Sequence, residues 1–193
     1  MTDAPGDQLL HHVDMANDPP LQAYLKLSSP RRPKRIDNII IHHTGGSQIL
    51  PDLVAGQIAR GDGSYHYIIG LTSDGLDWAV PQVWYGVREH RISWGALNDR
   101  HVRADKSALN IAVCMNTLHG PIPEPSMQLL THLVADRCRA YDIPFDNIRS
   151  HRDHAPLTKP FDDPGVAQLI DRLRFNAFQD ITNIALQNLG QIL

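Results

Sequence analysis

Ile36-Asp37-Asn38-Ile39-Ile40-Ile41-His42 ends in an unbroken β-branched run and then turns polar at His43-Thr44-Gly45-Gly46. Three consecutive isoleucines cannot alternate between core and solvent. The stretch therefore reads as a strand buried on both faces, as in a sheet covered by helices. The two glycines stop it. An imidazole at such a strand end is held by rigid backbone while its ring reaches the sheet edge, which suits a preorganised site.

Working outward, Ser64–Leu71 reads as a second strand, with Ser73-Asp74-Gly75 as its turn and Leu76–Val80 as the return strand of a hairpin. Ala108–Met115 is a third buried strand, and Val83–Lys106, which bears Trp and Arg, has no clean period and reads as loop. Leu50–Arg60 has apolar residues at helical spacing. Glu124–Tyr141 is the clearest helix, with Leu129, Leu130, Leu133, Val134 and Cys138 on one face and prolines at its first turn. Ile148–His151 is a short strand leading into a loop rich in Pro and Asp, followed by helices over Val166–Phe175 and Ala177–Leu193. These spacings predict an α/β domain with a central mixed β-sheet flanked by helices. The expected organisation is an N-terminal extension over 1–35, one domain over 36–175, and a C-terminal helix over 176–193.

Composition narrows the function classes. The chain has 193 residues, enough for one domain with a sizeable core, and a net charge of −3. With a pI near 6.4, it is not expected to bind nucleic acid or a membrane surface through a basic face. The one dense basic run, Arg31-Arg32-Pro33-Lys34-Arg35, reads as a solvated linker before the first strand. No stretch approaches the roughly 20 apolar residues of a membrane span. The start of the chain lacks the basic and apolar regions of a signal peptide, so the expectation is synthesis in the cytoplasm without one. Cys114 and Cys138 cannot form a disulfide framework and read as two buried thiols. They are not a metal-spaced pair, so any metal is expected to be held mainly by His and carboxylate.

Three places carry residues suited to that. They are His42-His43-Thr44 after the first strand, His151-Arg152-Asp153-His154 after the last, and Asp162-Asp163-Pro164-Gly165 just downstream. Two neutral imidazoles and one carboxylate make a common catalytic zinc shell, with a fourth position left for water.

The order of motifs is similar to one family. A strand ending in His42-His43-Thr44-Gly45 is followed by Ser64-Tyr65-His66-Tyr67-Ile68-Ile69 before a hairpin. A third strand and a long helix follow, then His151-Arg152-Asp153-His154-Ala155-Pro156, Lys159 and Asp163-Pro164-Gly165. In this the chain resembles the zinc-dependent N-acetylmuramoyl-L-alanine amidases, which share a fold with phage lysozyme-type amidases and peptidoglycan recognition proteins. The resemblance covers about residues 36–175.

It implies a zinc ion held by His42, His151 and Asp163. Asp162 is the alternative third ligand, because Lys159 to Asp163 is two residues longer than the family's Lys-x-Asp-Pro-Gly. It implies Tyr65 and Lys159 as catalytic residues, and Thr44 and Trp94 as substrate contacts. His43, pointing to the opposite face of the strand, is expected to be structural. Asp153 reads either as a group steadying a neighbour or as a solvated turn residue. Where many cell-wall amidases carry Ile-Gly-Ile-Glu, this chain has Ile111-Ala112-Val113-Cys114, the form seen in the phage lysozyme-type branch. The family's Trp-His-Ala-Gly is present as Ser93-Trp94-Gly95-Ala96, without its His.

The activity so implied is cleavage of the amide between the lactyl group of peptidoglycan and the first alanine of the stem peptide. The substrate would be peptidoglycan or a muropeptide, the enzyme a monomer, and the setting a phage or prophage endolysin released at lysis. A non-catalytic peptidoglycan-binding module and a zinc peptidase acting within the stem peptide are the rival readings.

Overall fold

The computed structural model describes residues 35–45, 64–71, 81–93, 95, 106–115 and 120–190. Five strands, β1 (Asn38–His43), β2 (Tyr67–Leu71), β3 (Pro81–Tyr85), β4 (Ala108–Val113) and β5 (Ile148–Ser150), form one sheet in the order β3-β2-β4-β1-β5. The pairs β2–β4, β4–β1 and β1–β5 are parallel, and only β3 is antiparallel to its neighbour β2. Among the described residues three α-helices accompany them: α1 (Glu124–Tyr141), α2 (His151–His154) and α3 (Val166–Gly190). No described helix is long and apolar enough to cross a membrane.

The isoleucine run behaves as its composition dictates. Ile39, Ile40 and Ile41 are all essentially inaccessible to solvent, and full burial of each such side chain stabilises by about 1.5–3 kcal/mol. Alternation then sorts the sheet into two faces. Ile39 and Ile41, with Tyr67, Ile69, Leu109, Ile111 and Val113, pack against Met127, Leu130 and Val134 of α1 and Leu169 and Leu173 of α3. Ile40 belongs to the opposite face, where it meets Ala108. His42, two residues beyond Ile40, shares that second face.

α1 has the bounds read from its apolar spacing. Pro125 fits its first turn, and the helix ends where Asp142 turns left-handed at φ 56°. Elsewhere the structure corrects the reading. The partner of β2 is Pro81–Tyr85, which overlaps the stretch from Val83 expected to be loop; the expected return strand Leu76–Val80 lies outside the described residues. β3 lies at the sheet edge, where a leading proline costs no ladder bond, so Pro81 opens the strand instead of excluding it. The two expected C-terminal helices are one continuous α3, because Asn176 interrupts the apolar spacing without breaking the backbone. The candidate helix Leu50–Arg60 and the extension before Arg35 lie outside the described residues.

Candidate metal centre

Strand register brings distant residues together. β1 and β5 run parallel with Ile41 level with Ser150, so His42 and His151 emerge side by side at the carboxyl end of the sheet. That end is where open parallel sheets place their ligands. His151 opens α2, and Ser150 and Asp153 form a capping box across this short turn. The Ser150 N–H donates to Asp153 Oδ2 at 3.0 Å, and the Asp153 N–H donates to Ser150 Oγ at 3.0 Å. Asp153 is exposed, and its carboxylate closes the turn that aims His151.

The chain then winds back on itself. Ala155 N–H donates to the His151 carbonyl (2.8 Å), Lys159 N–H to Ala155 (2.8 Å) and Asp162 N–H to Lys159 (3.1 Å), while Arg152 N–H donates to the Asp162 carbonyl (2.9 Å). This compact loop returns a carboxylate to His151. His42 Nδ1 lies 3.1 Å from His151 Nδ1, His151 Nδ1 lies 2.9 Å from Asp162 Oδ2, and His42 Nδ1 lies 3.5 Å from the same oxygen. All three residues are buried, and among the described residues they form the one group of this kind able to hold a metal ion.

The carboxylate brought to the imidazoles is therefore Asp162, which corrects the choice of Asp163. Asp163 Oδ1 instead accepts from the N–H groups of Gly165 (2.9 Å) and Val166 (3.1 Å), capping the start of α3, and its other oxygen pairs with Arg152. The physical reason is local. An Asp just before Pro-Gly at a helix entrance is recruited by the free N–H groups of the first turn, and its neighbour points the other way.

The donor set fits a zinc ion. Ligand bonds of 2.0–2.2 Å in a tetrahedral shell separate donor atoms by about 3.3 Å, and the three observed separations bracket that value. Charge fits as well. Burial pushes the Asp162 carboxyl up, but the facing His151 and His42 imidazoles and a hydrogen bond from the His43 N–H (2.7 Å) outweigh it and hold the group below the ordinary carboxylate range. It is an anion facing two imidazole nitrogens. His43 is half-buried with its Nε2 3.9 Å from Asp162 Oδ1. Burial lowers its pKa first of all; Asp162 opposes this, and His42, Lys159 and His151 add to the lowering.

Other expected site residues occupy varied surroundings. The Tyr65 ring stands 5.2 Å from the His42 ring, centroid to centroid, tilted by 55°. Its segment is pinned by bonds from Gly86 N–H to the His66 carbonyl and from Val87 N–H to the Tyr65 carbonyl. Gly86 has to be glycine there, since a Cβ would sit 2.4 Å from the Tyr65 carbonyl oxygen. Lys159 is exposed at the mouth of the loop, close enough for its charge to act on His43. Thr44 ties the end of β1 to the chain after β4, its N–H donating to Val113 and its hydroxyl to Met115 (3.4 Å). Trp94 lies outside the described residues. Cys114 and Cys138 are buried free thiols, and burial raises them to about 12 and about 11, so neither is a thiolate at neutral pH.

Three buried polar residues beside His42 went unread in the sequence: Asn110, Ser93 and His66. Asn110 could have been found, because a lone amide inside Ala108-Leu109-Asn110-Ile111-Ala112-Val113 is a buried polar group that needs partners.

Comparison with known proteins bears on the family and the fold. The family model described as N-acetylmuramoyl-L-alanine amidase matches residues 32–166. A point mutant of PlyL is similar in structure at 17% identity and TM-score 0.62, covering 83% of this chain and 96% of that one. The Ph2119 endolysin from the Thermus scotoductus MAT2119 bacteriophage Ph2119 is similar at 19% identity and TM-score 0.53, covering 76% and 89%. AmiD from E. coli, solved with the substrate anhydro-N-acetylmuramic acid-L-Ala-D-gamma-Glu-L-Lys, is similar at 23% identity and TM-score 0.52, covering 70% and 58%. No curated protein is close enough in sequence to match. With the family model spanning the whole sheet and both halves of the histidine cluster, the chain belongs to the N-acetylmuramoyl-L-alanine amidase family.

Proposed function

We propose that the protein is a zinc-dependent N-acetylmuramoyl-L-alanine amidase that hydrolyses the amide between the lactyl group of peptidoglycan and the first L-alanine of the stem peptide. The observation that carries this is the buried triangle of His42 Nδ1, His151 Nδ1 and Asp162 Oδ2, with sides of 3.1, 2.9 and 3.5 Å, at the carboxyl end of the parallel strands. His42, His151 and Asp162 would hold the ion. A zinc ion bound there supplies a Lewis acid and brings the pKa of water to about 7.

In the reaction a water oxygen bonds to the lactyl carbonyl carbon, the C–N bond breaks, and the alanine nitrogen leaves with an added proton. The carbonyl oxygen becomes negative on the way. The Lys159 ammonium, at the rim of the 151–162 loop, is placed in this reading to stabilise that charge. The Tyr65 hydroxyl orients the water or relays the proton to the departing nitrogen. Thr44 and Trp94 remain the substrate contacts proposed for the walls of the site. AmiD, solved with a muropeptide, supports this substrate class.

The setting we propose is a phage or prophage lytic enzyme, acting on the wall as a monomer after release. Cys114 in place of the third-strand glutamate and the likeness to the Ph2119 endolysin support that branch. The test joins metal analysis of the purified protein with mass spectrometry of digested sacculi. One zinc per chain, with new N-terminal alanine on an intact glycan, is the expected result. A metal-free protein that only binds sacculi, or cuts inside the stem peptide, would overturn the reading.

A further inference from the structure

The second face of the sheet carries a line of buried polar side chains that ends at the metal cluster. His42, Asn110, Ser93 and His66 are each at most 1% exposed. The line begins at the Arg91 carbonyl, an atom that can only accept, which lies 3.1 Å from His66 Nε2. His66 therefore carries its proton on Nε2, and its Nδ1 accepts, as the 2.9 Å bond from the Asn110 N–H requires. The Ser93 hydroxyl, 3.1 Å from the same Nδ1, donates to it and is left as an acceptor on its other side.

That side is filled by Asn110 Nδ2, which donates to Ser93 Oγ at 2.6 Å. The amide is thereby turned so that its carbonyl Oδ1 faces His42 Nε2 at 3.0 Å. Facing an acceptor, His42 Nε2 carries the proton of the neutral ring, and the lone pair is left on Nδ1, the atom aimed at His151 and Asp162. The other tautomer would put a proton where the ion has to sit. Packing holds the line in place. Gly95 lets the loop after Ser93 press onto β4, since a Cβ there would lie 2.4 Å from the Ser64 carbonyl oxygen and 3.3 Å from Asn110 Cγ.

We propose that Asn110, oriented through Ser93 and His66, is a positioning residue that preselects the Nε2–H tautomer of His42 and so presents its Nδ1 lone pair to a divalent cation. The inference rests on the metal site of the proposed function, but it makes a claim about the metal-free protein too. Partners on the far nitrogen of a ligating imidazole commonly contribute 10–100-fold to metal affinity.

The experiment measures zinc affinity by chelator competition, and the His42 tautomer in the metal-free protein by its side-chain 15N shifts, with thermal unfolding as a check on folding. Asn110→Leu, similar in shape but without the acceptor, is expected to bind zinc about 10–100-fold more weakly and to lose the Nε2–H signature. Asn110→Asp, which keeps an acceptor oxygen, is expected to restore both to within a few-fold. Ser93→Ala leaves Asn110 in place but frees its amide to turn, so an intermediate loss is expected. It also serves as the second variant should Asn110→Leu fail to fold. A folded Asn110→Leu or Ser93→Ala protein with unchanged affinity and tautomer would overturn the proposal, as would an Asn110→Asp protein no better than Asn110→Leu. A wild-type protein that binds no zinc overturns the proposed function instead, and the tautomer in the metal-free chain then still decides this inference.

Discussion

The two halves of the metal centre are built on different principles. His42 comes from a central strand, between β4 and β5, where it pairs with Ala112 of β4 one residue past the end of the β5 ladder and has Asn110 behind it. His151 opens the four-residue α2 and Asp162 comes from the loop after it, both held by a capping box and a succession of turn bonds. In the strand half, position follows from a two-residue period that any sequence displays. In the loop half, position depends on which of two adjacent carboxylates the helix entrance claims. A strand supplies precision through its neighbours, and a loop has to supply it through its own hydrogen bonds.

The largest expected effect tests that division of labour directly. Asp162→Ala should abolish zinc binding and lower amidase turnover by roughly 10³-fold or more, the equivalent of several kcal/mol of lost Lewis-acid stabilisation. Retention of one zinc per chain, measured by atomic absorption, would remove Asp162 from the shell. Next comes Lys159→Ala, which should keep its zinc and lose about 10²–10³-fold in kcat if the ammonium meets the developing oxyanion. An unchanged kcat would leave Lys159 as a solvated side chain of the rim.

Smaller again is Asp163→Ala, which should keep both zinc and activity while losing about 0.5–2 kcal/mol of stability with the cap of α3. The melting temperature should fall by about 2–4 °C per kcal/mol in a chain of this size. A loss of zinc in this variant, with zinc kept in Asp162→Ala, would reverse the assignment of the two aspartates.

The smallest concerns the sealed surroundings of the strands. Cys114, just after β4, and Cys138, in α1, have folded pKa values of about 12 and about 11 against an ordinary 9.0. Their values are raised, so the stability they contribute is complete below pH 9 and declines as pH rises through that value toward 11 and 12. The loss at pH 9 is about 0.4 kcal/mol per thiol. Denaturant titrations at pH 7 and pH 9 measure it, and rapid labelling of Cys114 in the native protein at pH 8 would show the strand end to be open.

Legibility followed the same divide. The Ile39–Ile41 run, the mixed sheet flanked by helices and the bounds of α1 could be read because burial imposes a period on the residues. The edge strand was missed because Pro81 signals a break wherever a strand has neighbours on both sides, and the sequence does not say which strand lies at the edge. The two histidines could be singled out by their places after apolar strands. Asp162 could not be separated from Asp163, since nothing periodic governs the 151–162 loop and the deciding bonds, to the Gly165 and Val166 N–H groups, appear only once α3 has formed. Asn110 was overlooked for the opposite reason: it is a single polar residue in a strand whose other five positions all read as core.

The parallel pairing of β1 with β5 also bears on how the protein is made. His42 leaves the ribosome early, whereas the imidazole it meets is 109 residues further along the chain. Closing so long a loop is slow relative to local folding, because its entropy has to be surrendered before any contact is gained. A nascent chain therefore cannot assemble this cation site until Asp162 has been synthesised, and an ion that binds it selects chains in which β1 and β5 are already paired.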